Sequence, residues 1–214
     1  MIYTGNYYNC KSNLFKTYSI SGDRGKMASY EGECYPALAP KKGFWEIWHN
    51  NIGKISDEEN MKYYIREYWL QVLSKLDIDE VYKELDRSIL LCYESPEEFC
   101  HREIVAAWFE IFLIGVSVPE VKIDDIHLEK LERPNHKKIK KYLEEVIRET
   151  TNMRGFSSLK ALHLFEQSEK LEKKANELEQ IRNKHSGDYR QAACYKRCDA
   201  DMVEAEYKQY IKNK

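Results

Sequence analysis

Cys92, Glu94, Cys100, His101 and Arg102 form the one dense group of chemistry-bearing residues in this chain. Cys92-Tyr-Glu94 closes an apolar run, Ser88 to Tyr93, whose length and lack of alternation suit a strand buried on both faces. Cys100-His101-Arg102 then lies where a helix should follow. Ligands of open α/β sheets bind at that carboxyl edge, and helix N-termini carry unpaired N–H groups and partial positive charge. A thiol placed there beside His and Arg would have a lowered pKa. An arginine there could hold an anion with two parallel bonds.

Three readings of this group stand open. In the plainest, both cysteines are small buried apolar residues. In the second, the cluster performs thiol chemistry or binds an anion. In the third, Cys92, Cys100 and His101 hold a metal. Zinc usually wants four ligands at tight spacing, and neither CxxC nor HExxH occurs. The reading adopted is therefore no metal and no cofactor. The C-x5-R loop of cysteine phosphatases is absent, since Glu98 and Ala106 stand six positions after the two cysteines. Walker A and G-x-G-x-x-G patterns are absent too.

The elements that must position these residues read as an α/β layered core. Short strands are expected at Ile2–Thr4 and Thr17–Ser21, with a long loop over 22–44. Ser56 and Glu59 have capping-box spacing and open a helix that carries Met61, Tyr64, Ile65, Tyr68, Trp69, Val72 and Leu76 at helical spacing. A short helix is expected from Ile78 to Leu85, started by Asp77 or Asp79. Pro96 and its acidic neighbours predict that the helix after the buried strand starts there and runs to about Leu113. Val116–Val121 reads as a strand, completing a βαβ unit.

Beyond this point the composition shifts. Residues 1–122 carry a net charge of −5, all 4 Trp and most of the Tyr, whereas 123–214 carry +3 and read as helical. Helices are expected at His136–Thr150, Ser157–His185 and Tyr189–Lys212, with a turn at 185–188. The last two suit an antiparallel hairpin. The domains expected are thus an α/β domain over 1–122 and a helical extension over 123–214. The overall net charge is only −2, so the molecule is not built as a general polyanion binder.

The run from Ser88 to Ala106 resembles the signature of the DUF488 family: an apolar strand ending in Leu91-Cys92-x-Glu94, then Cys100-His101-Arg102 opening a helix. Ile2-Tyr3-Thr4-Gly5, Leu38-Ala39-Pro40 and Val118-Pro119-Glu120 are similar to a subgroup of that family. The resemblance spans roughly residues 1–122 and implies a compact Rossmann-like domain; it implies little about activity.

Three functions follow as expectations. The first is recognition of a small anionic ligand or nucleotide. Arg102 would hold the anion and Glu94 would accept from a donor, with Cys92, Tyr3 and Ser21 in the binding set. The walls would be the loop aromatics Tyr7, Tyr8, Tyr30, Tyr35, Phe44, Trp45 and Trp48. The second is a thiol-dependent enzyme with Cys100 as nucleophile, His101 as base or orienter and Glu94 as proton carrier. Cys92 could then serve as a resolving thiol. The third is a homo-oligomer formed through residues 157–214. The basic run 135–141 reads as a solvated helix face, with nucleic-acid contact left open. Cys194 and Cys198, four apart, could give half a metal site with His163 or His185, and read more simply as free thiols. No signal peptide or apolar span is visible, so a cytoplasmic location with reduced cysteines is expected.

Overall fold

The computed structural model describes residues 1–11, 14–124, 127–180 and 186–213. In chain order the first strands are β1 (Tyr3–Asn6), β2 (Cys10–Lys11), β3 (Lys16–Ser19) and β4 (Glu33–Cys34). Helices α1 (Lys42–Asn51), α2 (Asp57–Gln71) and α3 (Ile78–Glu84) lead into β5 (Ser88–Cys92). Then come α4 (His101–Phe112), β6 (Glu120–Asp124), β7 (His127–Leu131) and the helices α5 (His136–Thr150), α6 (Leu159–Gln180) and α7 (Ser186–Lys212).

Among the described residues the strands make one seven-stranded sheet. The apolar run of β5 is buried at every position, as its lack of alternation predicts. It lies between β1 and β3, parallel to both, with Asn6 paired to Cys92 and Ser19 to Leu91. Three parallel strands therefore end side by side at one edge. Pleating sends successive side chains to opposite faces. Ile89 and Leu91 join Tyr7, Cys10, Val121 and Ile123 in a cluster on one face. Cys92 belongs to the other face and meets His101 of α4. The architecture is a mixed α/β fold with a parallel central sheet flanked by helices and a helical C-terminal region, compatible with a Rossmann-like layered fold.

Local chemistry fixes the helices near the site. Ser56 Oγ accepts from Glu59 N–H and the Glu59 side chain accepts from Ser56 N–H, a complete capping box on α2. Asp77 caps α3 through the N–H groups of Asp79 and Glu80. Asn60 donates to the Trp48 carbonyl at 2.9 Å, tying α1 to α2.

Several elements differ from the sequence expectations. Only one turn, closed by Ser95 N–H on the Glu98 carboxylate at 2.8 Å, forms at Pro96, and α4 starts five residues later. Phe99 packs on Trp48 and Tyr64, and the chain leaves the turn at that point. The expected strand at 116–121 starts only at Glu120, because Pro119 has no N–H to pair. The stretch after 123 is not all helical, since β7 pairs antiparallel along the whole of β6. The long loop ends at Lys41, and α1 had no counterpart in the sequence reading. The turn expected at 185–188 is helical from Ser186, while 181–185 lie outside the described residues.

The residues group into two compact units, 1–111 with 115–150, and 112–114 with 151 onward. In the second unit α6 and α7 pack against each other. Arg197 meets Ser168, and Arg190 meets Asn176. Leu159, Leu162 and Leu164 are buried in that unit together with the small residues Ala161, Ala175, Ala193 and Ala200. Glu204 of α7 accepts the N–H groups of Ser157 and Ser158 at 2.7 and 2.8 Å, capping the start of α6. No helix among the described residues is long and apolar enough to cross a membrane.

Candidate active site

The candidate site lies at the carboxyl edge of β1, β3 and β5, the edge where ligands of open α/β sheets bind. The loops after β3 and β5 line it, and the end of β1 braces them. At that end Asn6 Nδ2 donates to the carbonyls of Tyr93 and Glu94 at 2.7 and 3.1 Å, holding the start of the 93–100 loop. After β3, Asp23 accepts from Ser21, Tyr93 and the N–H of Gly25, which pins the 21–27 loop. After β5, the loop returns Cys100 to a position just ahead of α4.

Cys92, Cys100, His101 and Glu94 come together. Cys100 Sγ lies 2.9 Å from Glu94 Oε2. His101 Nδ1 stands 3.7 Å from Cys92 Sγ and 3.8 Å from Cys100 Sγ. His101 Nε2 lies 2.9 Å from the Ile20 carbonyl oxygen. A carbonyl only accepts, so Nε2 carries a proton and Nδ1 is the nitrogen that faces the sulfurs.

Environment separates the two thiols. Burial alone would push Cys100 up. A hydrogen bond from the Cys92 thiol and the positive charges of Arg102 and His101 outweigh it and bring Cys100 well below the ordinary thiol range. The adjacent positive end of α4 acts in the same direction. Burial and the neighbouring Cys100 push Cys92 well up, so it remains a thiol. Burial and the Cys100 charge raise the Glu94 carboxyl to about 7. Burial would lower His101, yet Cys100 beside it raises it. The arrangement favours a Cys100 thiolate against a protonated His101, with a proton available on Glu94.

A cavity of about 490 Å³ opens onto this group. Cys92, Glu94, Cys100 and His101 line it, with Ser21 and Asp23 from the loop after β3. Its apolar wall comes from Trp45 and Trp48 of α1, Tyr64 of α2, and Phe99. Lys42 also borders it and is exposed.

Other residues expected at the site lie elsewhere. Arg102 is fully buried, and its Nε bonds both carboxylate oxygens of Glu120 at 3.1 and 3.2 Å. It borders Glu94 at 3.8 Å and is not in the cavity wall. Tyr3 packs edge-on against Phe15, away from the wall. Of the loop aromatics, Tyr7 packs at a tilt against Tyr30 and Tyr93, Tyr35 bonds Glu84, Phe44 is buried, and Tyr8 is exposed; Tyr7, Tyr8, Tyr30, Tyr35 and Phe44 do not line the cavity. Trp45 and Trp48 do line it, from a helix rather than a loop. Tyr64 carried only a core signal in the sequence, because it belongs to the periodic buried face of α2.

The donor atoms of Cys92, Cys100 and His101 lie within 4.8 Å of one another, and they are the only such group among the described residues. Two sulfurs and an imidazole suit a soft cation, but three donors leave a closed structural site one ligand short. Glu94, at 2.9 Å from Cys100, is at hydrogen-bonding distance from that sulfur. Cys194 and Cys198 are exposed and take no part in such a group.

Residues 14–111 match DUF488-N3a, described as the active DUF488-N3 subclade. This segment is similar to the DUF488 family. Every residue lining the cavity falls inside the matched segment. The C-terminal part has no family match. No curated protein and no solved structure matches the chain.

Proposed function

We propose that this protein is a thiol-dependent enzyme that uses Cys100 as its nucleophile on a small ligand held in the cavity. The observation that carries the reading is the opposite treatment of two adjacent buried thiols, Cys100 brought down and Cys92 pushed up, around one imidazole nitrogen. His101 takes the Cys100 proton on Nδ1 while Nε2 stays anchored on Ile20. The thiolate attacks an electrophilic carbon and forms an S–C bond; the leaving group departs with the proton from His101. Glu94, with its carboxyl near 7, exchanges protons beside the sulfur. The description of the matched subclade as active agrees with this reading.

Anion recognition by Arg102 has less support, because Arg102 is fully buried outside the cavity wall and pairs with Glu120. The pH profile of Cys100 alkylation by iodoacetamide tests the proposal. In the wild type the rate should still be high below pH 7. His101→Asn should move the titration up toward ordinary thiols. An unshifted profile in that variant would remove His101 from the mechanism, and an ordinary thiol profile in the wild type would remove the nucleophile.

A further inference from the structure

Tyr64 is the one aromatic of the cavity wall that pairs deep burial with a free polar atom. It is 3% exposed, yet its hydroxyl has no hydrogen-bond partner among the described residues. Its neighbour Tyr68, one helical turn on, spends its hydroxyl on the Leu38 carbonyl at 2.5 Å. Tyr64 lines the cavity, so a phenol hydroxyl without a partner in the protein can donate to a ligand atom there. Four rings pack around it. Tyr64 is stacked on Tyr68 at 6.0 Å, and Phe44, Trp48 and Phe99 meet it edge-on at 5.2, 5.3 and 5.3 Å. Cys100, Cys92 and Glu94 all act electrostatically on the phenol, so it belongs to the same site. Burial keeps it protonated and able to donate.

We propose that the cavity binds flat aromatic carbonyl compounds, stacked along the Trp45–Trp48–Phe99 wall, with the Tyr64 hydroxyl donating to the carbonyl oxygen. Among the described residues no cation lines the interior apart from the His101 imidazole, and Lys42 is exposed. A neutral ring therefore suits the inside, and any acidic substituent would face Lys42. Bound this way, the ligand presents its carbonyl carbon to Cys100, a consequence that rests on the thiol reading above. The thiolate adds to that carbon, the S–C bond forms, and the C=O π pair moves onto oxygen. The Tyr64 hydrogen bond then meets the new oxyanion.

The binding half is tested without the nucleophile. Ligand-observed NMR titrations of full-length Cys100→Ser protein would compare benzamide, acetamide and ethylbenzene. Benzamide should bind saturably and better than both others. Tyr64→Phe in the same background should weaken benzamide roughly ten-fold, the effect of one lost hydrogen bond, and leave ethylbenzene unchanged. Unchanged benzamide binding in that variant would overturn the role of Tyr64, and acetamide binding as well as benzamide would overturn the aromatic preference. Should Tyr64→Phe misfold, ethylbenzene binding would be lost too, and the benzamide-over-ethylbenzene preference of the Cys100→Ser protein then decides. Unselective alkylation of Cys100 in the wild type would sink the thiol reading and leave these binding results standing.

Discussion

Glu103 stands one helical turn after Cys100, fully buried, and neither of its carboxylate oxygens has a hydrogen-bond partner. Burial and the Cys100 charge raise it to about 8, against the pull of Arg102 and Arg133. A folded-state pKa above the unfolded one means that the folded protein holds the proton more tightly. The stabilisation is complete below the unfolded value near 4.5 and is lost as pH rises through about 8. Glu103→Gln should therefore match the wild type near pH 5 and exceed it at pH 9 by a few kcal/mol, read from denaturant unfolding at both pH values. Equal stability at both would show that the carboxylate is already well compensated. Proximity within the cysteine group was legible in the sequence at this scale, because a buried strand followed by a helix brings residues 92 and 100 to one edge. The fate of Arg102 was not. Its partner Glu120 sits across the fold on β6, and nothing local in Cys-His-Arg distinguishes a ligand-binding arginine from one already paired. Tyr64 was equally hidden, since helical periodicity marks a buried face without saying that part of it borders a cavity.

The elements hold the site through close approaches as much as through hydrogen bonds. Gly5 lies in β1 beside β5, and a Cβ there would fall 2.4 Å from Cys10 Sγ and 3.1 Å from the Val121 carbonyl oxygen. Gly5→Ala should cost about 1–3 kcal/mol through overpacking. Cys10→Ala removes the nearer atom, so the double variant should recover part of that loss in thermal unfolding. Full additivity of the two single effects would contradict the contact. Cys10 thus has a packing role, with its thiol donating to the Val121 carbonyl and raised by burial to about 11. The strand–helix order around β5, the capping box of α2 and the start of α5 could all be read from local patterns. The late start of α4 could not, because Pro96 and its acids give a true helix-start signal that the packing of Phe99 overrides. The strand β7 was missed because His127–Leu131 is pattern-poor, with no residue fully buried, and it exists through pairing with β6.

Across the whole molecule, the charge asymmetry and the crowding of aromatics in the first 122 residues point toward the part that holds the cavity. The cavity-lining residues, the thiol pair and the DUF488 match all fall within the first compact unit. The second unit contributes the α6–α7 pair and the two exposed cysteines. Those cysteines make the most direct test possible in the intact protein. Six thiols compete for a limiting amount of iodoacetamide at pH 6.5, and mass spectrometry reads the order of labelling. On access alone, Cys194 and Cys198 should react first, since they are exposed and Cys100 is buried at the cavity floor. The Cys100 thiolate should reverse that order, labelling at least about ten-fold faster than either exposed cysteine, with Cys92 slower than both. Labelling led by Cys194 and Cys198, with Cys100 no faster than Cys92, would contradict the account.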